Sequence, residues 1–183
     1  SVNNGGSLNG AWDMSFVEEG FSDHSADMYN AFLQYLKVTK KVENENLAEN
    51  KCFSAKKADL AGNSYNNPEN GYCVVLTNGA SLIFYATSWE DPETHEKRDD
   101  GSIDIDLNGI KGPNVVGKDI HTITVYNPEY NIEMVSPYGG DTYYEEAYEK
   151  GCPSNLYAKT AGTGIPGILC GQRILRGDYA LKY

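Results

Sequence analysis

The sequence predicts an α+β fold in which one amphipathic helix lies across an antiparallel β-sheet, and three observations predict it. After Ser25, the positions Met28, Ala31, Phe32, Tyr35, Leu36 and Thr39 recur at the i, i+3, i+4, i+7 spacing of one buried helical face. Further along, Asn78-Gly79 stands between two β-prone runs, which is the strongest short-range hairpin signal. Beyond it, short alternating runs follow one another with connections too brief for parallel crossovers.

The bulk properties are compatible with that fold. A chain of 183 residues fits a single domain with its own core. We divide it into an irregular N-terminal segment, 1–24, and one globular domain, 25–183. The 40% hydrophobic and 22% charged fractions are ordinary for a water-soluble globular protein, and 19 Gly with 14 Tyr imply many turns and a β-rich, aromatic surface. A net charge of -11 argues against binding DNA or RNA through phosphates, or an anionic membrane surface, because the positive footprint is missing. The longest apolar run, Ala80 to Ala86, is far short of the roughly 18 to 20 residues of a membrane-spanning helix. The chain opens at Ser1 in a Gly/Asn-rich stretch, so a trimmed or processed form is expected.

Taken in order, Gly10 to Asp23 shows no sustained period and reads as irregular. Ser25 caps the expected helix, with Asp27 at its positive end and Lys37, Lys40 and Lys41 at its negative end. Val42 to Gly71 is polar and reads as a long surface connection. The hairpin pairs Tyr72 to Thr77 with Ala80 to Thr87. A two-residue turn at Asn78-Gly79 puts Val74, Leu76 and Ile83 on one face and Val75, Leu82 and Phe84 on the other. Both faces are apolar, so both should be covered. Glu90 to Asp100 reads as a charged solvated loop. Strands are expected over Ser102 to Leu107, Asp119 to Tyr126 and Ile132 to Ser136. Capping-box spacing at Thr142 predicts a short helix to Lys150, and Ile168 to Tyr183 reads as a last hairpin turning at Arg176-Gly177-Asp178.

Four cysteines without C-x-x-C spacing point to disulfides rather than zinc or redox chemistry. Four allow three connectivities. Cys52 with Cys73 and Cys152 with Cys170 is the favoured one, because each pair closes a short loop rich in turn residues. Bridges imply an oxidising, exported location, extracellular or in the cell envelope.

The most distinctive stretch runs from Asp104 to Asp119. It begins D-x-D-x-N-G, like the oxygen-rich start of an EF-hand calcium loop, but Val115 stands at position twelve, where a bidentate Glu is needed. An extended strand also separates same-face side chains by about 6 to 7 Å. Two readings follow. In one, Asp106, Asn108 and Asp119 converge with loop carbonyls on a Ca²⁺ ion where the strand ends. In the other, Asn108-Gly109 and Gly112-Pro113-Asn114 shape a tight connection, Asp119 accepts hydrogen bonds from its amides, and Lys111 or Lys118 offsets the charge.

Asp106-Leu107-Asn108-Gly109, Lys111-Gly112-Pro113-Asn114, Gly117-Lys118-Asp119-Ile120 and the late cysteine loop together give a chain that resembles the globular head of type IV pilins and secretion pseudopilins. The resemblance spans about Ser25 to Tyr183. It implies a helix packed on an antiparallel sheet, long loops and a C-terminal disulfide-bounded region. It implies a structural subunit that works by assembly with other pilin or pseudopilin subunits, reaching the membrane only through an N-terminal hydrophobic helix that this sequence lacks. Some major pseudopilins bind calcium in a head-domain loop, which fits the first reading above. The alternative is a secreted, disulfide-stapled module that binds glycan or protein through Tyr-rich loops such as Tyr138 to Tyr148.

No catalytic constellation is spelled out, and no enzyme activity or cofactor other than calcium is expected. Gly162 to Gly167 matches G-x-G-x-x-G but neither follows a strand pattern nor opens a helix pattern. His24, His95 and His121 are dispersed, with no H-E-x-x-H, and G-x-S-x-G is absent.

Overall fold

A helix that begins at Ser25 sets the first layer. In the computed structural model, which describes residues 25–90, 97–126, 135–137, 152 and 167–175, α1 spans Ser25–Leu33. The expectations for 1–24, the tip at 91–96, the helix at 142–150, the glycine run before Gly167 and the turn at 176–178 lie outside the described residues. The Ser25 hydroxyl accepts the Ala86 N–H at 3.1 Å, tying the start of the helix to the sheet beneath it.

The chain then forms β1 (Val38–Asn46), β2 (Lys56–Ala58), β3 (Ser64–Asn66), β4 (Asn70–Leu76), β5 (Ser81–Glu90), β6 (Lys97–Asp106), β7 (Ile120–Tyr126) and β8 (Val135–Pro137). Among the described residues, six strands make one sheet in the order β1-β4-β5-β6-β7-β8, with every neighbouring pair antiparallel, while β2 and β3 pair separately. The α+β architecture, one helix against an antiparallel sheet, is therefore the observed one, and the described disulfides join Cys52 to Cys73 and Cys152 to Cys170.

Several boundaries differ from the sequence expectation, each for a local reason. The helix stops at Leu33, where Tyr35 and Leu36 amides close back onto Phe32 and Leu33, and Val38 onward pairs with β4 instead of extending the helical face. Strand pairing here overrides a helical period that Tyr35 and Thr39 complete only on paper. The polar connection expected from Val42 to Gly71 carries most of β1, all of β2 and β3, and the start of β4. Only Val42 of β1 is buried, so this edge strand lacks the alternation that reveals strands. The paired strands also run into the charged segment, since Glu90 opposes Lys97. Near the C-terminus, the strand expected from Ile168 is instead a turn leading into α2 (Cys170–Leu175), because Leu169 and Cys170 are consecutive buried residues and a half-buried strand would bury only one of them.

The hairpin is present with a shifted register. Val74 faces Leu82 and Val75 faces Ser81, with Leu76 N–H bonded to Ala80 O at 2.8 Å. The loop is thus Thr77-Asn78-Gly79, a three-residue turn with Gly79 at φ 91°, and not the two-residue turn. That one-residue difference regroups the faces. Val74, Leu82 and Phe84 join Met28, Tyr29 and Ile103 under the helix, while Cys73 and Ile83 join Val42, Leu47, Phe53, Val116 and Ile120 on the other side. Both faces are covered, as two apolar faces require. Tyr29 meets Phe84 edge-on at 5.6 Å, and α1 approaches closely enough that a Cβ on Gly101 would lie 2.8 Å from Met28 Sδ.

Candidate functional site

The β6–β7 connection is the meeting point of the second face. Alternation along β6 puts Asp104 and Asp106 on one side, and both are buried. Asp104 is satisfied: Lys57 Nζ stands 2.8 Å from Oδ2, and Thr122 Oγ1 donates to Oδ1 at 2.6 Å. Residues 107–119 then loop out and return through positive-φ backbone at Gly109, Asn114 and Gly117, with a cis Gly112-Pro113 peptide.

Asp119 organises this loop from within. Its Oδ1 accepts the Val115 N–H at 2.6 Å, and its Oδ2 accepts the Asn114 N–H at 2.9 Å and the Asn108 Nδ2–H at 3.2 Å. A carboxylate only accepts, so Asn108 must turn its nitrogen toward Asp119. Asn108 also donates its backbone N–H to Asp106 Oδ1 at 3.1 Å, so it stands between the two carboxylates.

Asp106 differs from its neighbours. It is 0% exposed, and its Oδ2 has no hydrogen-bond partner among the described residues. Burial pushes its pKa up to about 7, helped by the charge of Asp119 and opposed by the Asn108 and Gly109 amides. Asn114 Oδ1 is another buried oxygen without a partner among the described residues. An unsatisfied buried oxygen costs about 1–3 kcal/mol. Both oxygens belong to residues near Asp119, and Asn67 Oδ1 and Thr124 Oγ1 are in the same state elsewhere. Around the loop, Ala58 N–H bonds Asn114 O and Val116 N–H bonds Ala58 O, both at 2.9 Å. From the other direction the Cys170 turn leans in, and a Cβ on Gly117 would lie 2.7 Å from Gly167 O.

Asp106, Asn108 and Asp119 are brought together as the sequence spacing implies, and the amide bonds to Asp119 are those of the tight-connection reading. Asn114 was not among the expected site residues. The signal available for it was its place after Pro113 in a Gly-rich turn, since Asn tolerates positive φ and carries a short polar arm. A second polar centre was missed outright. Asp59 accepts four hydrogen bonds of 2.8–2.9 Å, from the Ala61 and Asn63 amides, Asn63 Nδ2 and Tyr65 OH. These hold its carboxyl below the usual range against a burial effect that acts to raise it.

No known family, curated protein or solved structure matches this chain.

Among the described residues, no group of three or more His, Cys, Asp or Glu is placed to hold a metal, and no helix is long and apolar enough to cross a membrane. His121 sits beside the site with Nε2 3.1 Å from Lys118 O, and burial lowers its pKa, favouring neutral imidazole. Leu107 and Ile110 are exposed large apolar residues that line an open groove of about 390 Å³ with Asn108, Lys51 and Lys111.

Proposed function

We propose that this chain is the head of a pilin- or pseudopilin-like subunit, working by assembly into an extracellular or cell-envelope filament or secretion apparatus and not by turnover. The observation that carries the reading is the order of parts. A helix lies on the inner strands β4 and β5 of an antiparallel sheet, and the D-L-N-G…K-G-P-N…G-K-D-I segment forms the β6–β7 loop. A late disulfide then closes the C-terminal region. Two disulfides support an oxidising location. Exposed Leu107, Ile110 and Tyr35 supply apolar contact points of the kind a subunit covers on assembly.

The test is made in cells that express the full-length gene product. The proposal expects the chain in the sheared, sedimentable surface fraction, and expects it to leave that fraction when the prepilin peptidase is deleted. A chain recovered only as a free monomer after conventional signal-peptide cleavage overturns the proposal and favours a secreted binding module.

A further inference from the structure

We infer that the groove between the β4–β5 turn and the β6–β7 loop is a docking site for an acidic peptide segment of a partner protein, one that carries aliphatic side chains between carboxylates. Leu107 and Ile110 seat the aliphatic side chains, and the Lys51 and Lys111 ammonium groups pair with the carboxylates. The partner is a different protein and not a second copy, so the inference goes beyond assembly.

Three large apolar side chains are exposed among the described residues, Tyr35, Leu107 and Ile110, and two of them share this groove at 44% and 43% exposure. Both are carried by a fixed backbone. Leu107 N–H bonds Asp119 O at 2.9 Å, and loop and turn meet so closely that a Cβ on Gly109 would lie 2.8 Å from Gly79 O. A surface formed in advance loses little conformational freedom when it is covered, which favours binding. Charge then selects the partner. No Asp or Glu lines the groove, although the chain carries 26 of them, whereas two of its 15 basic residues do. Neither ammonium is paired with a carboxylate among the described residues. A positive, carboxylate-free surface is complementary to carboxylates at close range. The net charge of -11 opposes this only weakly, because charges farther away than about 8 Å are largely screened at physiological salt. Two lysines match a pair of carboxylates and fall far short of a nucleic-acid footprint. At about 390 Å³ the groove is within the range of ligand sites, about 300–1,000 Å³, and being open it leaves room for a chain that continues beyond it. A second copy fits less well. Glu43 and Glu45, the acids that β1 exposes, have Val42 as their apolar neighbour, and Val42 is buried, so they come without an aliphatic side chain to seat.

The test titrates the oxidised, ¹⁵N-labelled full chain with the capped peptide acetyl-Asp-Glu-Leu-Ile-Glu-Asp-amide. Saturable shifts should concentrate on the amides of Lys51, Gly79 and Leu107 to Lys111. Replacing Leu-Ile of the peptide by Ser-Ser should weaken binding about tenfold or more, and a version with lysines in place of its acids should not bind. On the protein, Lys51→Glu with Lys111→Glu, and separately Leu107→Ser with Ile110→Ser, should each weaken binding about tenfold or more. All four residues are exposed, so each variant should keep a Tm near that of the parent. No binding at about 1 mM peptide overturns the inference, as do shifts centred elsewhere or affinity that the lysine variant leaves unchanged. Self-association in sedimentation that the lysine variant abolishes, with no peptide binding, assigns the groove to a second copy and also overturns it. The measurement involves no filament, so its failure leaves the assembly reading untouched.

Discussion

Asp59 and the Lys57–Asp104 pair show how individual polar residues fasten the loops to the sheet. Asp59 has its carboxyl held low by four donors, so the sign of its pH effect is fixed. Its contribution is fully present above the unfolded value, about 3.9, and is lost as pH falls through the lower folded value. Asp59→Asn should flatten the acid limb of a stability-versus-pH curve. At neutral pH it should cost about 1–3 kcal/mol by urea denaturation, because the new amide nitrogen faces donors. Lys57 is the partner of a buried carboxylate, their side chains being 15% and 7% exposed. Lys57→Met leaves the buried Asp104 carboxyl short of a partner, with an expected loss of about 3 kcal/mol in the same measurement. A loss below about 0.5 kcal/mol would place the pair among ordinary surface ion pairs. Neither residue was legible in advance. Their sequence context is a polar stretch, and only the fold brings Lys57 to β6 or wraps 61–65 around Asp59.

At the scale of elements, the turn between β4 and β5 decides which side chains share a core. Asn78-Gly79 correctly marks the hairpin, but the dipeptide fits both a two-residue turn and the observed three-residue turn, and the two differ by one step of register. The Asn78 side chain accepts the Ala80 N–H at 3.1 Å, a local bond that helps select the longer turn. Gly79→Ala meets open space and only the penalty of positive φ, so about 1 kcal/mol is expected from thermal unfolding. Gly167→Ala should cost clearly more, because its Cβ would collide with Val116 O and Leu60 as well as adopting a φ of 100°. β7 was readable from alternation, although it buries side chains on both faces, Ile120 on one and Val125 on the other. β1 was not, because an edge strand covered with Lys and Glu carries its pairing in the backbone, which no side-chain pattern reports.

For the whole molecule, the helix-on-sheet layering followed from patterns that burial imposes directly, whereas the cysteine pairing was one of three connectivities, favoured because each pair closes a short loop, and it is the one observed. The site was half legible: spacing gathered Asp106, Asn108 and Asp119, whereas Asn114's role depends on a backbone turn at positive φ. The Cys52–Cys73 bridge lies within the second core and spans 21 residues. Replacing both cysteines by Ala should lower stability by about 2–4 kcal/mol in a non-reducing denaturant titration, with the secondary-structure signal retained.

Among the described residues, the two border strands of the main sheet carry a consequence for how this chain can associate. β1 presents Lys40, Lys41, Glu43 and Glu45 as exposed residues and breaks register twice along its length, while β8 is three residues long and ends in Pro137, which has no amide hydrogen to offer. Both borders are poor templates for another strand. Copies that gather should do so side by side through their outer surfaces, leaving each sheet its own size. Such a polymer would come apart into folded units, and would not stain as amyloid does.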